Sequence, residues 1–167
     1  QAKYFLKTEK NKKFQIPLEP GVAEDEVWKE NFLQDFETLS KNILEICEYG
    51  FLEMLNNAID HSEGTGVVIK TIWASDSVTI AIRDNGIGIF RKIKNALELD
   101  NERESILDLS KGKFTTDQEN HTGEGIFFTS RAFDIFHIVS RGISYIRTNW
   151  DEDWFVETMK DENVPGT

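Results

Sequence analysis

The 167 residues hold one cysteine, Cys47, so a disulfide within the chain is excluded. Cys47 stands among Ile43, Leu44 and Ile46, surroundings that read as those of a small buried hydrophobe rather than a reactive thiol. With that cysteine and three dispersed histidines, His61, His121 and His137, no zinc site can be assembled. Apolar runs are short. None approaches the roughly 18 residues that a membrane span requires, and no stretch reads as a secretory segment, so the expected location is cytoplasmic. Lysine and arginine number 19 against 30 acidic residues, a net charge of −11. That balance disfavours duplex DNA and anionic membranes, which select a basic footprint, and leaves basic protein partners open. The Gly-x-x-x-x-Gly-Lys-Ser/Thr string of a P-loop is missing, and the block Gly123-Glu124-Gly125 has only two of the three glycines of a dinucleotide fingerprint.

What remains is a globular composition: 39% apolar and 11% aromatic, with twelve Phe and four Trp, at a length that suits one domain with its own core. Residues 1–20 read as an N-terminal extension, lysine-rich at first. It ends in a short edge strand in which Phe14, Ile16 and Leu18 alternate and Pro17 limits pairing to one side. From Val27 to Cys47 the residues Phe32, Phe36, Leu39, Ile43 and Ile46 form a helical stripe. A second helix follows from Tyr49 to His61, with Gly50 as the expected divider. Residues 66–73 and 77–83 predict two strands, 93–99 and 104–109 two helices, and 126–133 another. A hairpin around Arg141-Gly142 and a strand at 154–159 close the series. Trp150, Trp154 and Phe155 read as core, with a docking surface for a further segment as the alternative. The order predicts an α+β two-layer sandwich, helices on one face of a mostly antiparallel mixed sheet.

Three blocks carry chemistry. In Glu53-x-x-x-Asn57-x-x-x-His61 the spacing of four puts all three residues along one helix stripe. A carboxylate and an amide oxygen suit hard Mg²⁺, which shares its ligands with waters and substrate phosphates. Asp60 stands beside this stripe. Asp84-Asn85-Gly86-Ile87-Gly88 ends the alternating segment Val78 to Arg83, so a strand delivers Asp84 to a turn. There its carboxylate can accept from an exocyclic amine, while Gly86 and Gly88 let the backbone approach a flat base. The third block, Thr122-Gly123-Glu124-Gly125-Ile126, is a glycine-rich loop entering a helix, where free N–H groups and the positive dipole end favour phosphate oxygens. Between the second and third blocks lies a charged stretch placed as a lid, in which Lys113 is a candidate for the γ-phosphate.

In this order the blocks resemble the N, G1 and G2 boxes of the GHKL superfamily. Its members include gyrase B, a class of heat-shock chaperones, sensor histidine kinases, mismatch-repair ATPases and anti-sigma-factor kinases. The resemblance covers roughly residues 45 to 140. It implies the Bergerat ATP-binding fold over residues 21–167, with ATP and Mg²⁺ as cofactors. Glu53 would polarise water or accept its proton, and Asn57 would ligand Mg²⁺. Asp84 would contact the adenine amine, Gly86 and Gly88 would shape the base pocket, and Gly123 and Gly125 would form the phosphate loop with His61 nearby. One departure is His121, which stands where relatives usually carry a further glycine. The stretch Gly123 to Asp134 is also similar to bacterial ATPase-like proteins in which a small STAS-like domain follows. Gly166-Thr167 match the pair that opens the family's last strand, so the chain is expected to be a fragment of a longer protein. The function expected is that of a bacterial regulatory module hydrolysing ATP or transferring its γ-phosphate to a partner protein. The alternative is a nucleotide-controlled interaction module with little turnover. A homodimer formed through the strand at Phe14 to Leu18 is compatible with either.

Overall fold

The computed structural model describes residues 11–111, 125–151, 153–158 and 165–167. Strands β1 (Lys12–Pro17), β2 (Gly66–Trp73) and β3 (Val78–Asp84) form one antiparallel sheet in that order. Pairing of Phe14 with Ile69 and of Ile69 with Ile82 sets the register. A strand alternates faces every residue, so Val78, Ile80, Ile82 and Asp84 share the inner face with Ile16, Val67 and Ile69. Asp84 is the polar member of the β3 set, and it therefore arrives between the sheet and the helices. β1 lies at the sheet edge, as Pro17 requires.

Helices α1 (Glu24–Asn31), α2 (Leu33–Phe36) and α3 (Lys41–His61) cover that face. Trp28, Phe32, Phe36 and Phe51 are fully buried between them and the sheet, with ring centroids 4.8 Å apart for Trp28–Phe36 and 5.1 Å for Phe32–Phe51. Aromatic rings of this size supply most of the apolar area such a small layer can bury. Gly50 does not divide two helices; α3 runs through it, and the break falls at residues 37–40, where Ser40 has extended dihedrals. Gly50 is there for packing: a Cβ would lie 2.7 Å from Phe133 Cζ. Close approach of the ring thus offsets the helix-propensity cost of glycine, about 1 kcal/mol. Cys47 is 3% exposed and burial pushes its thiol up to about 11, so it behaves as a small hydrophobe.

A second core gathers Phe90 and Ile93 of α4 (Ile89–Ala96), Ile106 and Leu109 of α5 (Glu104–Lys111), and the inner face of a second antiparallel sheet. That sheet has the order β4 (Ile135–Ser140), β5 (Ile143–Thr148), β6 (Trp154–Thr158). Met54 of α3 and Ile126 of α6 (Gly125–Ala132) pack on it, so α3 serves both cores. The α+β architecture is as expected. Every ladder among the described residues is antiparallel, and the strands fall into two sheets rather than one. The ends of β3 and β4 are joined through Gly166 and Thr167: Asp84 N donates to Thr167 O (3.0 Å) and Ser140 Oγ to Gly166 O (3.1 Å).

α4 starts at Ile89, earlier than periodicity suggested, because Gly88 at φ 88° turns the chain directly into it. Trp150 (67% exposed), Phe155 (50%) and Trp154 (38%) are not core. β6 is an edge strand, and its register pairs Phe155 with Ile146, on the face opposite the Tyr145 and Ile138 side chains. His137, on that same outer face, bonds Ser144 Oγ at 2.8 Å, a structural role. Among the described residues no helix is long and apolar enough to cross a membrane.

Candidate functional site

α3 carries Glu53, Asn57, Asp60 and His61, while its core side is made by Cys47, Phe51, Leu55 and Ala58. Glu53, Asn57 and His61 are half-buried and Asp60 is exposed. Asn57 Nδ2 donates to Glu53 O at 2.8 Å. That bond engages the amide nitrogen and leaves the oxygen as the atom available for coordination, the kind of ligand a hard divalent cation takes. Glu53 reaches the first residue of α6, since a Cβ on Gly125 would come within 2.9 Å of Glu53 Cδ. A carboxylate and a helix N-terminus therefore meet at one point, and glycine is what makes room for it. Ile126, next in α6, is half-buried and turned to the second core.

The β3 turn is tied to the other end of α3. Ser62, the C-cap of α3, accepts from Ile87 N at 2.9 Å through its carbonyl. Asn57 lies five residues earlier, about 7.5 Å along the helix axis. Gly86 sits so close to Ser62 that a Cβ would come 2.6 Å from the Ser62 carbonyl carbon. Backbone on both sides leaves nothing to rotate away. Gly86→Ala is therefore expected to destabilise the protein by about 1–3 kcal/mol, the usual cost of overpacking. The measurement is the midpoint of urea unfolding, and an unchanged midpoint would show that the contact is looser than described.

Asp84 is 7% exposed. Its Oδ1 accepts from Gly86 N at 2.7 Å and its Oδ2 from Thr167 N at 3.2 Å. An ionised carboxylate has about four lone-pair positions, so two donors orient the group and leave capacity for another. Asn85 turns away: its Oδ1 accepts from Thr65 N and Gly66 N, at 2.8 and 3.1 Å, and locks the turn onto the start of β2. Gly88 takes φ 88°, and a Cβ there would meet Ser140 Oγ and Arg141 Cγ. Lys113, Thr122, Gly123 and Glu124 lie outside the described residues, as does His121. Among the described residues no cluster of three or more His, Cys, Asp or Glu side chains forms a metal cage. A cation held here would rely on Asn57, Glu53 and ligand oxygens, in keeping with the way Mg²⁺ is usually bound.

Three participants carry no periodic signal in the sequence. Thr167 clamps the turn from outside: its Oγ1 accepts from Ile89 N at 2.9 Å and donates to Ser140 Oγ at 3.2 Å. The Gly166-Thr167 pair was visible as a strand opener, but its contact with Asp84 spans 83 residues and leaves no local trace. Ser62 carries no signal beyond being a small polar residue at a helix end. Lys92 is the third, with Nζ 2.6 Å from His61 O and 3.6 Å from Glu63 Oε1. It caps the negative end of α3 and ties α4 to it. In the sequence it is one lysine of an amphipathic helix among others.

Residues 48–134, just over half of the chain, match the family described as histidine kinase-, DNA gyrase B-, and HSP90-like ATPase. No curated protein is a significant match to the chain. The matched span runs from the stripe on α3 through the Asp84 turn to the end of α6, the elements that meet at the site. The chain belongs to the GHKL-type ATPases as an ATP-binding module.

Proposed function

We propose that the module, spanning residues 21–167 behind an N-terminal extension at 1–20, binds ATP with Mg²⁺ in a bacterial regulatory protein and works on the γ-phosphate. The product would be free phosphate or a phosphorylated partner protein. The observation that carries this reading is the meeting of the Glu53 carboxylate with Gly125 at the start of α6. A nucleotide held only for binding needs no carboxylate at that place; one to be cleaved does, because an attacking water or hydroxyl must lose a proton.

Asp84, oriented by Gly86 and Thr167, accepts from the adenine amine, and Gly86 and Gly88 border the base. Asn57 and Glu53 would hold Mg²⁺, which when bound would neutralise charge on the transferred group. Asp60 and His61 flank the phosphates at the end of α3. Gly125 and Ile126 start the helix that receives the phosphates, with Thr122, Gly123, Glu124 and Lys113 assigned to the same task from the sequence. The test is release of phosphate from ATP, with and without Mg²⁺, before and after Asn57→Ala. Turnover that needs Mg²⁺ and falls at least tenfold in the variant supports the assignment. Bound ATP that is never cleaved, in any condition and without transfer to a basic partner, would contradict it.

A further inference from the structure

Three of the chain's six arginines, Arg91, Arg103 and Arg141, line one half-open surface cleft of about 550 Å³. They come from α4, the connection into α5, and the β4–β5 turn. Asn101, Glu102 and Thr158 complete the polar part of the lining. In a chain of net charge −11 this is a local inversion of sign, three guanidinium groups over one carboxylate. Arg91 Nε uses that carboxylate, bonding Glu102 Oε1 at 2.8 Å, and Arg103 Nη2 donates to Thr158 Oγ1. Both forks keep N–H groups beyond these bonds.

Arg141 is the telling member. It sits at φ 48° in a two-residue hairpin turn where asparagine or glycine is the usual occupant, with Gly142 at φ 80°. Its Nε is buried and has no hydrogen-bond partner among the described residues. Backbone strain and an unanswered buried donor both count against arginine here, and such coincidences mark functional positions; the Nε itself is shut off from the pocket, so the terminal N–H groups of the fork are the ones that can meet a ligand. Its stem packs on Gly88, so the guanidinium is held rather than loose.

We propose that this pocket binds a compact phosphate-bearing anion, either free phosphate or a small phosphate monoester. Planar guanidinium forks match phosphate oxygens two at a time, and a volume of this size holds a small ligand. Binding there does not require ATP, although Arg141 packs on Gly88 at the edge of the proposed base pocket.

The test is a two-dimensional ¹⁵N NMR titration of the whole chain with inorganic phosphate and, separately, glycerol 3-phosphate, at ionic strength held constant with chloride. Saturating shifts are expected at Arg103, Gly142 and Ile143 in the millimolar range. Arg141→Gly, which suits the left-handed turn and so keeps the fold, and Arg103→Gln should each weaken binding at least tenfold. Saturation with phosphate identifies the free anion as sufficient; saturation with the ester alone assigns the site to esters. Shifts matching the chloride control, shifts indifferent to both substitutions, or shifts confined to Gly125 and the Asp84–Gly88 turn would each overturn the proposal.

Discussion

Glu53→Ala is expected to lower ATP turnover by about 10²–10⁴-fold, the usual worth of a positioned general base, while ATP affinity changes by less than about tenfold. Binding should largely survive, although one proposed Mg²⁺ ligand is lost, because Asp84, Gly86 and Thr167 form their bonds without Glu53, and Asn57, the other proposed ligand, is oriented by the Glu53 backbone carbonyl, which alanine retains. Alanine is also the best helix former, so α3 should persist. Glu53→Gln sharpens the test because it keeps the shape beside Gly125 and removes the basic oxygen. Both variants should bind ATP and both should be slow. Single-turnover phosphate release from preloaded protein is the measurement. A Gln variant as fast as the parent would remove Glu53 from the chemistry and favour a module that senses ATP without consuming it.

Asp84→Asn should weaken ATP binding by about 10- to 100-fold, the range expected from losing a hydrogen bond to a charged acceptor. The substitution is nearly isosteric but not innocent. Both carboxylate oxygens of Asp84 already face N–H donors, Gly86 N at 2.7 Å and Thr167 N at 3.2 Å. An amide NH₂ must therefore oppose one of them. The variant should lose stability as well, by about 1–3 kcal/mol if one buried donor is left unanswered. Calorimetry at a protein concentration above the weakened Kd, on protein shown folded by circular dichroism, separates the two effects. Affinity unchanged in folded protein would mean that the base is recognised elsewhere.

Much of this arrangement was legible because it is periodic. A spacing of four put Glu53, Asn57 and His61 on one side of α3, and a spacing of two carried the inner face of β3 through Ile82 to Asp84. Strand and hairpin positions followed from the same alternation, with Arg141-Gly142 as punctuation. Tertiary contacts were not legible. Gly50 looked like a helix boundary because glycine is a poor helix former, yet the ring of Phe133 needs its missing Cβ. Trp150 and Phe155 looked like core because they are large and apolar, but Trp150 lies in the turn after β5 and Phe155 on the outer face of the second sheet, and both stay exposed. Thr167, Ser62 and Lys92 act through partners 83, 25 and 31 residues away, or through a helix end, and such contacts leave no pattern in a window of sequence.

The most direct measurement is calorimetric titration of the protein with ATP, first with Mg²⁺ and then with the metal chelated. The site described here predicts one nucleotide per chain, bound more tightly with Mg²⁺, with the metal advantage lost in Asn57→Ala. Folded protein that takes up no ATP at millimolar concentration, or binds it equally with and without the metal, would contradict the account.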